Sequence, residues 1–190
     1  MNETPRRDFL QTAAIGAAAF ALSAGPTSAA ESKKIVLGLI GPGGMGTNHL
    51  KNLVVRKDVE LRYVCDVDAN RLAAAAKNVE DGSKKAPQAV KDMRKILDDK
   101  EVDAVLIATP DHWHVPLTIA ACAAKKDVYV EKPLTHDLSE GKAVIAAQNE
   151  HKRIVQIGTQ QRSMPHIIKA RELVKSGGIG KVVKVHMTWN

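Results

Sequence analysis

The sequence predicts an α/β fold in which a doubly wound parallel sheet carries helices on both faces. Short apolar runs alternate with helical patterns from Lys34 to Ile157. These runs are too short for helices and are apolar on both faces, which is typical of buried parallel strands. Alternation of this kind requires right-handed crossovers and therefore one sheet covered on both sides. With 190 residues, 44% of them hydrophobic, the chain can bury one substantial core.

The elements follow in order along the chain. Six strands are predicted at residues 35–40, 61–65, 88–90, 102–108, 128–130 and 154–157. A helix is predicted from the glycine-rich turn after the first strand to Val55, with an apolar stripe made of His49, Leu50, Leu53 and Val54. Four more helices are predicted at residues 70–79, 92–97, 111–125 and 138–151. A polar linker is predicted at residues 81–85.

After the sixth strand the pattern changes. A helix is predicted at residues 165–176, a glycine turn at residues 177–180 and an alternating strand at residues 182–189. A strand that stops with unpaired edges is typical of the first strand of another domain. We therefore expect a first domain at residues 31–160, followed at residues 161–190 by the beginning of a truncated second α+β domain.

The first thirty residues are predicted to be an export signal. Arg6 and Arg7 precede an apolar, alanine-rich run at residues 12–22 and a stretch of small residues at 25–30. This arrangement resembles a twin-arginine signal that is cleaved at its end. The eleven-residue run is shorter than the roughly 20 residues of a membrane-spanning helix. We therefore expect a periplasmic or otherwise exported protein without a stable membrane anchor.

Charge and composition exclude several classes of function. The formal net charge is +7, but lysine and arginine are scattered among acidic residues with no basic tract, so nucleic-acid binding is not expected. Cys65 and Cys122 lie in apolar runs and are predicted to be buried free thiols. No histidines and cysteines occur at metal-ligand spacing, so no metal site is predicted.

The turn after the first strand predicts a Rossmann-type dinucleotide-binding domain. Gly41, Gly43 and Gly46 fit the pattern G-x-G-x-x-G, and Gly44 and Met45 complete the turn. A buried strand precedes the turn and a helix follows it, which is the context that the motif requires. The glycines let the backbone approach a diphosphate, whose charge is met by the amides of the helix N-terminus.

Asp66 is predicted to select the nucleotide. It ends the second strand, twenty residues after Gly46, where a carboxylate accepts hydrogen bonds from ribose hydroxyls and repels a 2′-phosphate. NAD is therefore favoured as the cofactor. Arg71 follows closely and can neutralise a phosphate, so NADP stays an alternative. A glycine turn with Asp66 acting only as a helix cap is the structural alternative to a binding site.

A second cluster of polar and aromatic residues follows two later strands. Residues 109–114 come after the fourth strand and residues 131–133 after the fifth. Taken separately, Asp111 could cap a helix, Trp113 could fill the core and the lysine could be a surface charge. Because adjacent parallel strands end at one edge of the sheet, we expect a shared cleft. The predicted lining residues are Thr109, Pro110, His112, Trp113, His114, Glu131 and Lys132.

These motifs carry a family resemblance. The turn at residues 41–46, Ala108-Thr109-Pro110 with His114, Glu131-Lys132-Pro133, and Gly158-Thr159-Gln160-Gln161-Arg162 with Pro165 resemble the glucose-fructose oxidoreductase and inositol dehydrogenase (Gfo/Idh/MocA) family. The resemblance implies a Rossmann domain, then an open antiparallel sheet that binds sugars or cyclitols and often mediates oligomers. It also implies a cofactor site that includes Gln160 and Arg162. A homo-oligomer is expected only for the full-length protein.

The resemblance also implies a catalytic role for Lys132. The matching lysine hydrogen-bonds the reacting hydroxyl and the nicotinamide ribose, and the bond before Pro133 can be cis. The family's catalytic carboxylate and histidine belong to its second domain and are not found in these 190 residues. His166 and His186 are not expected to replace them. An ammonium group stabilises a developing alkoxide but is not a base unless burial lowers its pKa.

The sequence therefore predicts an exported NAD(P)-dependent oxidoreductase that acts on a sugar, cyclitol or related polyol by hydride transfer. Because free NAD is scarce outside the cytoplasm, such a protein is expected to hold its cofactor tightly. Two alternatives share every motif described above. One is an NAD-dependent glycosidase that works by transient oxidation and elimination, and the other is a non-catalytic NAD-binding protein.

Overall fold

The computed structural model describes residues 33–188, and the predicted twin-arginine segment lies outside them. The strands are β1 (Ile35–Ile40), β2 (Val59–Cys65), β3 (Gln88–Val90), β4 (Ala104–Ile107), β5 (Asp127–Glu131) and β6 (Val155–Gly158). The helices are α1 (Gly44–Leu53), α2 (Ala69–Ser83), α3 (Arg94–Asp98), α4 (His114–Ala123), α5 (Gly141–His151) and α6 (Pro165–Lys175). Each of the six predicted strands is present.

All six strands form one parallel sheet in the order β3-β2-β1-β4-β5-β6. β1 pairs with β2 on one side and with β4 on the other, so the order reverses between β1 and β4. In doubly wound sheets, ligands bind outside the carboxyl ends of the strands at this reversal. The predicted fold class is confirmed, and the sheet places a crevice beside the turn that follows β1.

Two apolar clusters cover the two faces of the sheet. Ile40, Ile107 and Val130 belong to the cluster packed with α4, and Leu39 and Leu50 belong to the cluster packed with α1 and α2. Because side chains alternate along a strand, Leu39 and Ile40 serve opposite faces. Burial on both faces explains why the strands are apolar throughout and makes the sheet a rigid support for its carboxyl edge.

Both cysteines are buried free thiols, as predicted. Cys65 ends β2 and Cys122 lies in α4. Burial is the main cause that raises the pKa of the Cys65 thiol to about 11. A thiol with such a pKa stays protonated at neutral pH and behaves as a small apolar side chain.

Several helix boundaries differ from the prediction. The helix predicted at residues 111–125 begins with a 3₁₀ turn at Asp111–Trp113, and the one at 138–151 begins with a 3₁₀ turn at Leu138–Glu140. α2 continues through the predicted linker to Ser83 and ends where Lys84 adopts a left-handed conformation, with φ of 60°. Polar residues on an exposed helix face do not end a helix, whereas a left-handed residue does.

The strand predicted at residues 182–189 is not formed over the described residues 181–188, which carry no regular secondary structure. Val183 and Val185 are 87% and 72% exposed. A strand needs a hydrogen-bonding neighbour, and in the described part of the chain this segment has none.

Within residues 33–188, no helix has the length and apolar character to cross a membrane.

Candidate functional site

A cleft of about 950 Å³ lies at the carboxyl edge of the sheet, beside the reversal between β1 and β4. Residues that follow β1, β2, β3 and β4 line it, and Ile40, Cys65 and Leu117 add apolar surface. Ten of the predicted site residues meet there. They are Gly41, Gly43, Gly44, Met45, Asp66, Arg71, Thr109, Pro110, His112 and Trp113.

The glycine turn is shaped by close backbone contacts. Gly41 has φ of +83°, and its N–H donates to the Cys65 carbonyl over 2.9 Å. A Cβ on Gly41 would lie 2.8 Å from the Ala108 carbonyl, and a Cβ on Gly46 would lie 2.1 Å from the Gly41 oxygen. Side chains therefore do not fit at these two positions. Gly46 is buried under the turn and shapes it without lining the cleft.

The first turn of α1 is open to the cleft. Gly43 is the N-cap residue, and among the described residues no side chain caps this helix and no acidic residue lies in its first turn. A Cβ added to Gly44 would meet nothing within 4 Å. Free amides and the partial positive charge of a helix N-terminus attract an anion. This turn can receive a diphosphate, as the motif predicts.

Asp66 lies on the same cleft, next to the Cys65 carbonyl that holds Gly41. One of its oxygens accepts the backbone N–H of Asp68 over 2.9 Å. Asp68, and not Asp66, is the N-cap of α2, and the N–H of Arg71 is the largest cause that lowers the pKa of Asp68. The alternative in which Asp66 only caps a helix is therefore wrong.

Arg71 is oriented toward the glycine turn. Its Nη1 lies 3.2 Å from the position that a Cβ on Gly43 would occupy. This places a guanidinium beside the open first turn of α1, where it would add positive charge next to a bound diphosphate.

The sequence did not predict the segment that follows β3. Lys91, Asp92, Met93 and Arg94 line the cleft, and the Arg94 guanidinium donates to the Asp92 carboxylate over 2.9 and 3.0 Å. β3 is the neighbour of β2 in the sheet, so residues after β3 extend the wall that Asp66 begins. Their position after a strand was the available signal.

Thr109 and Trp113 form the opposite part of the cleft. The Thr109 hydroxyl is buried and has no hydrogen-bond partner among the described residues. Buried polar atoms are normally paired, so this hydroxyl is suited to a ligand in the cleft. Trp113 is 50% exposed, with its ring centroid 6.3 Å from that of His112. The predicted placement of these side chains on the cleft is confirmed.

His114 does not line the cleft, against the prediction. It is 2% exposed, and its Nδ1 lies 2.6 Å from the Pro133 carbonyl oxygen and its Nε2 2.9 Å from the Thr109 carbonyl oxygen. As the first residue of α4 it faces inward, because its ring lies against the backbone carbonyls of the loops that follow β4 and β5.

Glu131 is also internal. It is 4% exposed, one oxygen contacts His49 Nε2 at 2.6 Å and the other accepts the Lys132 N–H over 3.2 Å. His49 was predicted to be part of the apolar stripe of α1, which is wrong, because its ring instead pairs with this carboxylate. No local pattern predicts a contact between residues 82 positions apart.

Lys132 follows β5 and is exposed, but it does not line the cleft itself, against the prediction. The Lys132–Pro133 peptide bond is cis, as the resemblance implied.

Gln160 and Arg162 do not line this cleft, and the cofactor role that the resemblance implies for them stays a prediction. They lie in an exposed 3₁₀ turn, Gln160–Ser163, after β6. β6 is the edge strand of the sheet and is separated from the reversal by β4 and β5, which explains why this turn lies apart from the glycine turn.

Within residues 33–188, no three histidine, cysteine or acidic side chains come close enough to hold a metal ion.

Comparison with known proteins identifies the family. Residues 35–159 match the Gfo/Idh/MocA family, described as an oxidoreductase family with an NAD-binding Rossmann fold. The chain belongs to this family. It is 31% identical over 149 residues to the uncharacterized oxidoreductase YrbE of Bacillus subtilis, a match that covers 78% of this chain and 42% of the relative. It is 32% identical over 155 residues to inositol 2-dehydrogenase of Rubrobacter xylanophilus, covering 80% and 43%.

A solved structure supports the same assignment. Scyllo-inositol dehydrogenase from Lactobacillus casei, crystallised with NAD(H) and scyllo-inositol, superposes with a TM-score of 0.71 at 25% identity. The superposition covers 78% of this chain and 43% of that protein. The chain thus spans less than half the length of the relatives described above.

The cleft fits the dinucleotide that this family binds. A diphosphate would lie against the uncapped first turn of α1, and the Asp66 carboxylate is on the same wall for a ribose hydroxyl. Thr109 and Trp113 line the other part of the cleft.

Proposed function

We propose that the protein is an exported NAD-dependent oxidoreductase that acts on a cyclitol or a related polyol, and that this chain is its dinucleotide-binding part. The observation that carries the proposal is the cleft in which the open first turn of α1 and Asp66 lie on one wall. Similarity to inositol 2-dehydrogenase supports the cyclitol. A glycosidase or a non-catalytic NAD-binding protein with this fold would have the same cleft. The cleft therefore favours an oxidoreductase only together with the similarity to inositol 2-dehydrogenase.

In this proposal each part of the cleft has one role. The amides at the start of α1 bind the diphosphate, with Arg71 adding positive charge beside Gly43. Asp66 accepts a hydrogen bond from the adenosine ribose and repels a 2′-phosphate, which favours NAD over NADP. Trp113 and Leu117 exclude water from the apolar wall. When bound, NAD supplies the nicotinamide ring that accepts a hydride.

Lys132 is proposed to act on the substrate. Its ammonium group donates a hydrogen bond to the reacting hydroxyl and stabilises the negative charge that develops on that oxygen. The family resemblance supports this role, and the exposed position of Lys132 at the carboxyl edge of the sheet leaves the side chain accessible. A separate base must take the hydroxyl proton, since a protonated lysine does not accept one.

The proposed binding site is tested by placing a negative charge at position 43. The backbone there is extended, with φ of −72°, so other residues are tolerated, and a new Cβ would meet only the flexible Arg71 guanidinium at 3.2 Å. Gly43→Asp places a carboxylate where the diphosphate binds and should weaken NAD at least about tenfold in a calorimetric titration. Gly43→Ala is the control and should bind much more tightly than Gly43→Asp. Equal NAD affinity for all three proteins would contradict the proposed site.

The reaction is tested with the full-length protein. We expect NADH to accumulate with myo-inositol or scyllo-inositol as substrate, and Lys132→Met to lower the rate by at least about tenfold while NAD still binds. If neither an inositol isomer nor any other polyol leads to NADH formation, that result would count against a net dehydrogenase. Glycoside cleavage that requires NAD would instead favour the glycosidase, and NAD binding without turnover the non-catalytic protein.

Export is proposed from the N-terminal sequence. Support comes from Arg6 and Arg7, the short apolar run at residues 12–22 and the small residues at 25–30. Replacing both arginines with lysine should leave the protein in the cytoplasm, as measured by cell fractionation, whereas Arg171→Lys should not alter its location. Because twin-arginine export carries folded proteins, the periplasmic protein should also contain NAD. A wild-type protein found only in the cytoplasm would contradict export.

A further inference from the structure

Two histidines bracket the segment that contains Lys132. His49, on α1, contacts the side chain of Glu131, the residue before the lysine. His114, at the start of α4, contacts the carbonyl of Pro133, the residue after it. Both contacts measure 2.6 Å. The two helices approach the lysine from different strand connections, so its backbone is held on both sides.

The first contact joins Lys132 to the helix that begins at the glycine turn. The His49 and Glu131 side chains are 18% and 5% exposed, so little solvent competes for their bond. The His49 ring also packs edge-on against Tyr129, with centroids 5.2 Å apart. The second oxygen of Glu131 accepts the Lys132 N–H over 3.2 Å. Two hydrogen bonds thus connect α1 to the backbone of the lysine.

The second contact joins Lys132 to the loop that follows β4. The His114 ring lies between two backbone carbonyl oxygens, with Nε2 2.9 Å from that of Thr109 and Nδ1 2.6 Å from that of Pro133. Thr109 lines the cleft. Its backbone is therefore tied through one buried ring to the residue after the lysine.

We propose that His49 and His114 are positioning residues that hold Lys132 in place and couple its position to the ligand in the cleft. This inference rests on the proposed function. A dinucleotide would contact the first turn of α1 and the Thr109 loop, and each of these leads through one histidine to the lysine segment. Neither histidine lines the cleft, so each acts through its partner and not on the ligand.

The test separates the two halves of the dinucleotide. ADP-ribose has the diphosphate and both riboses but lacks the nicotinamide, so the ratio of NAD to ADP-ribose affinity reports the nicotinamide end. We expect His49→Leu and His114→Leu to lower that ratio by up to about tenfold while ADP-ribose affinity stays the same. In the wild-type full chain, NAD should also protect Lys132 from acylation, as measured by peptide mass spectrometry, and the protection should be lost in both variants.

Matched variants exclude a general loss of structure. His49→Gln keeps a donor for Glu131 and should restore the ratio and the protection, which a merely space-filling role would not require. His166→Leu, on exposed α6, should behave as wild type. If His49 acts through Glu131, adding His49→Leu to Glu131→Leu should cause no further loss. Should His114→Leu fail to fold by circular dichroism, the His49 series alone decides.

The outcomes distinguish the two proposals. A wild-type chain that binds neither NAD nor ADP-ribose would overturn the proposed function and this inference with it. A wild-type chain that binds both, together with folded His49→Leu and His114→Leu variants whose affinity ratio and Lys132 protection are unchanged, would overturn the positioning role alone.

Discussion

Gly46 is the residue whose replacement should most directly distort the turn. A Cβ there would lie 2.1 Å from the Gly41 carbonyl oxygen, a backbone atom that cannot rotate away. Gly46→Ala must therefore shift α1 or the turn. We expect NAD affinity to fall by more than about tenfold and the free energy of unfolding to fall by about 1–3 kcal/mol, measured by calorimetric titration and urea unfolding.

Gly141 provides the control for this substitution. It begins α5 with φ of −58°, and a Cβ would meet nothing within 4 Å. Gly141→Ala should leave NAD binding unchanged and stabilise the protein by about 0.4–1 kcal/mol, because alanine has less freedom in the unfolded chain. A Gly46→Ala variant as stable as wild type, with full NAD affinity, would contradict the steric explanation.

Asp66 should determine the choice between NAD and NADP. Asp66→Ser removes the negative charge and the stronger acceptor, so NAD affinity should fall by about tenfold or more. NADP affinity should rise relative to NAD, because a 2′-phosphate is no longer repelled. Dissociation constants for both nucleotides measure the change, with Asp81→Ser on exposed α2 as control. An unchanged ratio of the two constants would show that Asp66 does not select the nucleotide.

Residues whose role depends on local sequence were predictable, and residues whose role depends on distant contacts were not. The glycine turn and Asp66 are recognised because strand, turn and helix are contiguous in the sequence. His49 was placed in an apolar stripe because its partner, Glu131, is 82 positions away. His114 was expected on the cleft because its sequence position gives no sign of which way the ring faces.

At the scale of single elements, the strands were predicted more reliably than the helix starts. Apolar runs follow from burial on both faces of the sheet, which the sequence records directly. The 3₁₀ turns at Asp111–Trp113 and Leu138–Glu140 depend on how the chain leaves each strand. The segment at 182–188 alternates as a strand does, but pairing requires an edge that no alternation can supply.

The connection from α3 to β4 should respond to pH through Asp99. Its carboxylate accepts the Glu101 N–H over 2.9 Å and the Tyr63 hydroxyl over 3.0 Å. The Glu101 hydrogen bond is the largest cause that lowers the pKa of Asp99, and Tyr63 and Arg62 act in the same direction. Asp99→Asn should therefore reduce the free energy of unfolding at neutral pH by about 1 kcal/mol.

The sign of the pH dependence follows from the lowered pKa. Ionised Asp99 stabilises the fold fully above the carboxyl pKa of the unfolded chain, near 3.9, and this contribution is lost as the pH falls through the lower folded-state value. The difference between wild type and Asp99→Asn in urea unfolding should shrink below about pH 4. Asp98→Asn, at the neighbouring exposed position, should show no such difference. If the difference in unfolding free energy between wild type and Asp99→Asn persists at low pH, the stabilisation by Asp99 does not arise from its charge.

For the whole molecule, the doubly wound class was predictable but the strand order was not. Alternating strands and helices require parallel crossovers. Apolar runs of similar length can pair in several orders, however, and tertiary packing decides that the chain crosses from β3 to place β4 beside β1. This placement of β4 creates the reversal. It brings the turn after β1, Asp66 after β2 and Thr109 after β4 onto one cleft.

Ligand binding should stabilise this domain as one cooperative unit. Leu61 is 7% exposed in the core cluster under α1 and α2, four positions before the end of β2. Leu61→Ala should cost about 2–5 kcal/mol of unfolding free energy. NAD at about 100 times its dissociation constant should then add about 2.7 kcal/mol to both wild type and variant, because it binds only the folded form.

The core variant Leu61→Ala and the binding variant Gly43→Asp should therefore lose different properties. Gly43→Asp should keep its unliganded stability and lose the NAD increment at the same nucleotide concentration, whereas Leu61→Ala should lose stability and keep the increment. Tryptophan fluorescence and circular dichroism should report coincident unfolding curves in each case. Separate transitions for the two probes, or an NAD increment missing from Leu61→Ala at saturating nucleotide, would show that the cleft and the core on that face of the sheet do not unfold together.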